Sequence, residues 1–218
     1  MTDRYADFVR AETARGTAPL VPEIALHLAS AVTPLWEATE TTLATEGLPP
    51  PFWAFAWPGG QALARYVLDT PDLARGRRVL DFAAGCGIAA IAAAKAGASE
   101  TKASEIDPFA AAAIRLNAAL NGLSIEVLEA DLLAAPAAGY DLILAGDLCY
   151  ERPMAERVFA WLSAAVAAGI DVLLADPGRS YLPSAGLDPL AVYDVPTSLD
   201  LENRTLMQTK VFSLSAMR

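Results

Sequence analysis

Five acids close or directly follow apolar runs in this chain: Asp81, Glu105, Asp131, Asp147 and Asp176. The first run, Val79-Leu80-Asp81-Phe82, opens into Ala83-Ala84-Gly85-Cys86-Gly87 and then into an Ala-rich segment. That order describes a strand, a tight turn and a helix, as in a nucleoside-binding α/β unit. Glu105 ends the second run 20 residues after Gly85. At that distance a carboxylate can hold a pair of ribose hydroxyls. A dinucleotide site would want Gly-x-Gly-x-x-Gly, but the turn continues Gly85-Cys86-Gly87-Ile88-Ala89-Ala90, with no third glycine and nothing basic nearby to hold a pyrophosphate.

Asp81 would repel a phosphate and suits a cation. S-adenosylmethionine carries a sulfonium, an α-ammonium and a ribose, and no phosphate. With that ligand, Asp81 faces the ammonium, Gly85 and Gly87 permit close backbone approach, Glu105 takes the ribose hydroxyls, and Asp131 accepts from the adenine amino group. The alternative for Asp81 is a helix cap. Glu105 and Asp107 flank a helix start marked by Pro108, so Asp107 is assigned the cap and Glu105 the ribose.

The elements that must carry these residues alternate. Strands are expected at 78–82, 101–105, 125–129, 141–146 and 170–175, and helices at 86–96, 108–121 and 153–168. Repeated βα units imply an α/β fold with a mostly parallel sheet and helices on both faces, with ligands at the carboxyl ends of the strands. A helix at 60–69 precedes the first unit, and strand-like runs near 190–195 and 206–214 follow the last. Upstream, 3–15 reads as an amphipathic helix, and Pro22 is placed to start a second helix over 22–30. Residues 33–46 are ambiguous, with 35–39 a candidate strand, and Pro49-Pro50-Pro51 is a hard break. The expected organisation is an N-terminal extension, 1–50, and one domain, 51–218.

The bulk properties narrow the partners. A net charge of −10 argues against nucleic acid, which needs a basic stripe, and fits a small ligand or a Lys-bearing protein surface. The chain has 218 residues and is 54% hydrophobic, enough for a full core. No apolar stretch reaches a membrane span, and Met1–Phe8 carries acids rather than the apolar core of a signal peptide. Two cysteines, Cys86 and Cys149, make no disulfide framework, and a reducing, cytoplasmic setting is expected.

Leu80-Asp81-x-x-x-Gly85-Cys86-Gly87 resembles motif I of the seven-strand, Rossmann-like methyltransferases, with Ala83 in place of that motif's first glycine. Four further blocks narrow the resemblance: Pro51-Phe52-Trp53-Ala54-x-x-Trp57-Pro58-Gly59-Gly60-Gln61-Ala62-Leu63, Ser104-Glu105-Ile106-Asp107-Pro108, Gly146-Asp147-Leu148-Cys149-Tyr150 and Asp176-Pro177-Gly178-Arg179. Together they resemble the lysine methyltransferases of the electron-transfer flavoprotein β subunit, over about residues 20–215. The resemblance implies transfer of methyl groups from S-adenosylmethionine to lysines of that subunit. Bacterial relatives labelled nicotinamide N-methyltransferase-like keep a small-molecule amine substrate open as the alternative.

Methyl transfer from a sulfonium is an in-line displacement that needs a neutral amine and alignment, not a strong base. The chain has one histidine, His27, far in sequence from the motifs, no Cys/His nucleophile pair, and no metal site is expected. Asp147 and Tyr150 are the candidate catalytic residues. Asp147 would orient the amine, and Tyr150 would stack on an ammonium by cation–π attraction. Asp147 also stands where it could cap the helix that follows. Asp147→Ala is expected to abolish transfer and leave cofactor binding largely intact. Trp57 is open between core packing and the edge of the cofactor, and Gln61 between a ligand contact and the surface. The Asp176–Arg179 segment is open between a simple turn and a substrate contact. Asp-Leu-Cys-Tyr in place of Asn/Asp-Pro-Pro-Tyr, together with the acidic charge, disfavours a nucleic-acid methyltransferase.

Overall fold

The computed structural model describes residues 3–30, 50–197, 202 and 204–215. The ambiguous stretch 33–46 lies outside them. Asp3 caps α1 (Arg4–Glu12) by accepting from the Tyr5 and Ala6 amides. A two-stranded antiparallel hairpin follows, β1 (Ala14–Ala18) and β2 (Val21–Leu28). The helix expected over 22–30 is therefore a strand. Val21, Ile24 and Leu26 are buried on β2, and the irregular register leaves Pro22 between the Val21–Ala18 and Ala25–Thr17 pairs. There its missing N–H forfeits no ladder bond, so proline is tolerated in the strand.

After a 3₁₀ turn at Phe52–Ala54 come α2 (Pro58–Asp69), β3 (Arg78–Phe82), α3 (Ile88–Lys95), β4 (Glu100–Glu105) and α4 (Pro108–Leu120). The chain continues through β5 (Glu126–Glu129), β6 (Leu142–Gly146), α5 (Arg152–Ala167), β7 (Asp171–Asp176), β8 (Leu187–Pro196) and β9 (Leu206–Leu214). The sheet has seven strands in the order β5-β4-β3-β6-β7-β9-β8. The first five are parallel, and β9 and β8 add antiparallel. Every alternating element expected from the sequence is present, with ends within about two residues. From β3 the chain winds outward through β4 and β5, then returns to place β6 on the other side of β3. The crevice between β3 and β6 is the switch point where such sheets bind ligands.

Strand alternation sorts the core into two layers. Leu80, Phe82, Ile143, Ala145, Val172 and Leu174 face α5, where they meet Val158, Trp161 and Leu162. Val79, Leu142, Leu144 and Leu173 face the opposite way, toward α2 and α3. Each fully buried Leu or Ile contributes roughly 1.5–3 kcal/mol of hydrophobic stabilisation. Ile24 and Leu26 of the hairpin belong to the same apolar cluster as Leu63 and Ile91. By the same alternation Asp81 shares the face of Val79 and is carried into the layer of α3. Among the described residues no helix is long and apolar enough to cross a membrane.

Candidate active site

At the carboxyl ends of β3 and β6, an open cavity is lined by Phe55, Trp57, Asp81, the Ala83–Cys86 turn, Gly146 and Asp147, among others. The turn is held by the end of β4. Ala84 N–H donates to the Ser104 carbonyl at 3.1 Å, and Gly85 N–H donates to Glu105 Oε1 at 2.6 Å. Ala83, at the position of the motif's first glycine, takes a left-handed φ of 51°.

Asp81 is both a cap and a cavity wall. It is 3% exposed, and its Oδ2 accepts from Ala90 N–H in the first turn of α3 at 2.8 Å. Burial drives its carboxyl up to about 8, against the pull of that amide. Burial also raises Glu105, to about 7. Asp81, in the cavity wall, thus favours the neutral form, and an entering cation would draw it toward ionisation; Glu105 is outside the lining and is held on the Gly85 amide.

The two glycines of the turn differ in their surroundings, and Gly85 lines the cavity. A Cβ on Gly85 would meet open space, and what glycine supplies there is its φ of +55°. Gly87, with φ +76°, begins α3, and a Cβ there would lie 3.0 Å from Ile114 Cγ2. It therefore seats α3 against α4. Asn117, fully buried on α4, donates to the Cys86 carbonyl at 2.8 Å and accepts from His27 N–H at 2.7 Å. This residue, for which the sequence carried no signal, ties the hairpin to the cofactor turn.

Asp147, 11% exposed with φ +57°, joins three distant segments. Its Oδ2 accepts from Gly59 N–H at 2.5 Å and Gly60 N–H at 3.2 Å. Its Oδ1 accepts from Arg179 Nη2 at 2.9 Å and Nε at 3.3 Å. The helix it caps is thus α2, whose own N-cap residue Trp57 offers no side-chain bond, and not α5 as the sequence allowed. Gly59 permits this approach, because a Cβ there would lie 2.5 Å from Asp147 Oδ2 and 2.6 Å from the Ala175 carbonyl. Burial pushes the Asp147 carboxyl up to about 6, Arg179 opposes that, and Asp176 adds to it. Asp147→Ala would remove the α2 cap as well as any contact to substrate, so its effect would not stop at transfer.

Tyr150, 48% exposed, stands at the surface beyond Asp147, its ring 5.7 Å from that of Phe52. Trp57 lines the cavity and donates from Nε1 to the Phe52 carbonyl at 2.8 Å. Gln61 is 3% exposed and neither touches the cavity nor reaches solvent; it donates to the Ala56 carbonyl and accepts from Leu20 N–H. Asp107 caps α4 through Phe109 N–H at 2.8 Å, as assigned from the sequence. Asp131 is not brought to the cavity lining. It accepts from Leu133 N–H at 3.0 Å in a 3₁₀ turn and pairs with Arg157 of α5 at 3.1 Å. Asp176 folds its own turn, accepting from Gly178 and Arg179 N–H.

A five-strand parallel core with an antiparallel pair at one edge, and an acid-lined glycine turn at the switch point, defines the class of seven-strand, Rossmann-like methyltransferases. Magnesium protoporphyrin IX methyltransferase from Synechocystis, solved with bound S-adenosylmethionine, shares the fold with a TM-score of 0.53 at 18% identity, over 72% of this chain and 79% of that one. The family model for ribosomal protein L11 methyltransferase matches residues 61–150. The electron transfer flavoprotein beta subunit lysine methyltransferase of Xenopus laevis is 40% identical over 212 residues, 94% of this chain and 85% of that protein. That of Danio rerio is 38% identical over 199 residues, 88% of this chain and 76% of that protein. The chain belongs to the electron transfer flavoprotein beta subunit lysine methyltransferase family.

Proposed function

We propose that this chain methylates lysine side chains of the electron-transfer flavoprotein β subunit, with S-adenosylmethionine as donor. The observation that carries this is the placing of Asp147 and Tyr150 at the end of β6, Asp147 in the cavity wall and Tyr150 open to a macromolecule, in a chain with relatives of that name over most of its length. The cavity lining fits the donor: a buried carboxylate, a glycine turn and no basic side chain among the lining residues. When bound, the donor supplies a methyl on an already activated leaving group. Asp81 would hold its ammonium, Glu105 its ribose and Trp57 its edge, while Gly85 and Gly87 shape the turn beneath it.

On the substrate side Tyr150 presents an aromatic face to the lysine. Asp147 Oδ1 is the acceptor that would set the amine's lone pair toward the cavity. Deprotonation by water suffices, since the amine needs only to arrive neutral and aligned. Asp131 remains a candidate for the adenine amino group only if its pairing with Arg157 opens. The net charge of −10 suits a Lys-bearing protein surface and opposes nucleic acid. Both cysteines are free and buried, which accords with a reducing cytoplasm.

The test is purified chain, labelled S-adenosylmethionine and purified electron-transfer flavoprotein, read by peptide mass spectrometry. Label on lysines of the β subunit is expected. Tyr150→Ala, at a half-exposed position, is expected to keep the fold and cofactor binding and to lose roughly 3- to 30-fold in kcat/KM, the cation–π range. No label on the flavoprotein, with turnover on nicotinamide or another free amine, would overturn the protein-substrate assignment.

A further inference from the structure

Arg179 follows β7 and lies between two acids. Its Nη2 donates to Asp147 Oδ1 at 2.9 Å and to Glu202 Oε1 at 2.7 Å, and its guanidinium carbon stands 5.9 Å from the Trp57 ring centroid. The arginine side chain is 20% exposed and that of Glu202 8%. The turn that presents Arg179 is itself fixed, because its N–H donates to Asp176 Oδ1 at 2.6 Å.

A carboxylate has about four acceptor sites. The two amides of α2 fill Oδ2 of Asp147, and Arg179 places two donors on Oδ1, Nη2 at 2.9 Å and the longer Nε at 3.3 Å. A substrate amine that uses Asp147 must therefore displace the longer Nε bond and share Oδ1 with Arg179 Nη2. We infer that Arg179 is a positioning residue for methyl transfer: it fixes Oδ1 of Asp147 and offsets its charge, so that the lysine is held there as a free amine. The inference rests on the lysine methyltransferase assignment above.

An isolated buried carboxylate would hold the incoming lysine as ammonium, with no lone pair for the methyl. A guanidinium on the same oxygen lowers the amine's affinity for a proton while leaving an acceptor to aim it. Glu202, on the far side of Arg179, keeps the guanidinium turned toward Asp147. The other groups facing Asp147 are Asp176 and Cys149, the latter a thiol that burial pushes up and keeps neutral. Arg179 is thus the cation paired with Asp147. Its loss would raise the proton affinity of both Asp147 and the substrate amine, so the acid limb of the rate profile must move to higher pH.

The test compares Arg179→Met, Arg179→Lys and Glu202→Gln with the wild type. The readouts are pH profiles of kcat on the purified flavoprotein, cofactor affinity by calorimetry and thermal unfolding. For Arg179→Met, kcat is expected to fall roughly tenfold or more near neutral pH and to recover as pH rises, with cofactor affinity within about threefold of wild type. Arg179→Lys keeps the charge and is expected to restore part of the loss, and Glu202→Gln, which removes the second acid from the guanidinium, to move the acid limb slightly to lower pH. A wild-type profile in Arg179→Met would overturn the inference. So would a loss of kcat, cofactor binding and thermal stability together that alkaline pH and Arg179→Lys leave unchanged, since that marks a structural role. Wild-type protein that fails to label the flavoprotein at any pH refutes the assignment itself, whereas a labelling wild type with indifferent Arg179 variants refutes only the inference.

Discussion

Cofactor binding is expected to release protons, and Asp81 is the main source. In the unliganded protein its buried carboxyl stands at about 8, against an ordinary value of 3.8. The difference corresponds to roughly 6 kcal/mol favouring the neutral form. At neutral pH about nine molecules in ten carry that proton. A cation placed against Asp81 restores the ionised form, so the proton leaves as the ligand binds. Glu105, at about 7, gives up roughly another half proton if it takes the ribose hydroxyls. Affinity therefore rises with pH through this window, by up to about tenfold per pH unit for each proton released. For the unliganded protein the sign is opposite. The folded state holds Asp81 neutral more tightly than the unfolded chain does, so stability falls as pH climbs from the ordinary value toward 8.

Asp81→Asn keeps an oxygen for the Ala90 amide and removes the titrating proton. The unliganded variant is expected to stay within about 1 kcal/mol of wild type near neutral pH, where Asp81 is mostly neutral already. Its affinity for S-adenosylmethionine is expected to fall roughly 10- to 100-fold, the worth of one charge-assisted hydrogen bond. Isothermal calorimetry in two buffers of different ionisation enthalpy counts the protons. Wild type is expected to release roughly one and a half, and Asp81→Asn roughly a half. Wild-type binding without proton release, or a variant with unchanged affinity and pH slope, would refute Asp81 as the cation's partner.

Two further outcomes test the framework around the site. Asn117→Ala leaves the buried Cys86 carbonyl and His27 amide unpaired and is expected to cost about 2–4 kcal/mol by denaturant unfolding, with weaker cofactor binding because the turn loses its anchor. Gly59→Ala forces a Cβ against Asp147 Oδ2, pinned by its hydrogen bonds, and against the backbone carbonyl of Ala175. Thermal unfolding is expected to show a loss of about 3 kcal/mol or more.

The alternating βα region was legible because each of its elements announces itself locally: a short apolar run, then an Ala-rich stretch bounded by proline, glycine or an acid. Pro22 misled because proline starts helices and is also tolerated at an unpaired strand position, and only the hairpin register distinguishes the two. The importance of Asp81, Glu105 and Asp147 was visible in their places at strand ends. Their partners were not. Gly59 lies 88 residues from Asp147 and His27 lies 90 from Asn117, separations at which spacing carries no information. Gly87, expected beside the ligand, also packs closely against Ile114, and spacing in the sequence does not carry that second demand. Asp131 ends its strand like the other acids, yet the chain turns there into a capped 3₁₀ turn, so its carboxylate serves the turn and Arg157.

The reach of Asp147 has a consequence for the chain as it is made. When α2 leaves the ribosome its first amides await a carboxylate synthesised 87 to 88 residues later, and that carboxylate in turn awaits an arginine 32 residues further on. Closing loops of that length is slow beside local helix and turn formation. The glycine turn and its Glu105 clasp, only 20 residues apart, can form early. The Asp147 side of the site can form only after Arg179 has been made. A nascent or truncated chain could therefore hold the elements that bind the cofactor but not the means to spend its methyl group.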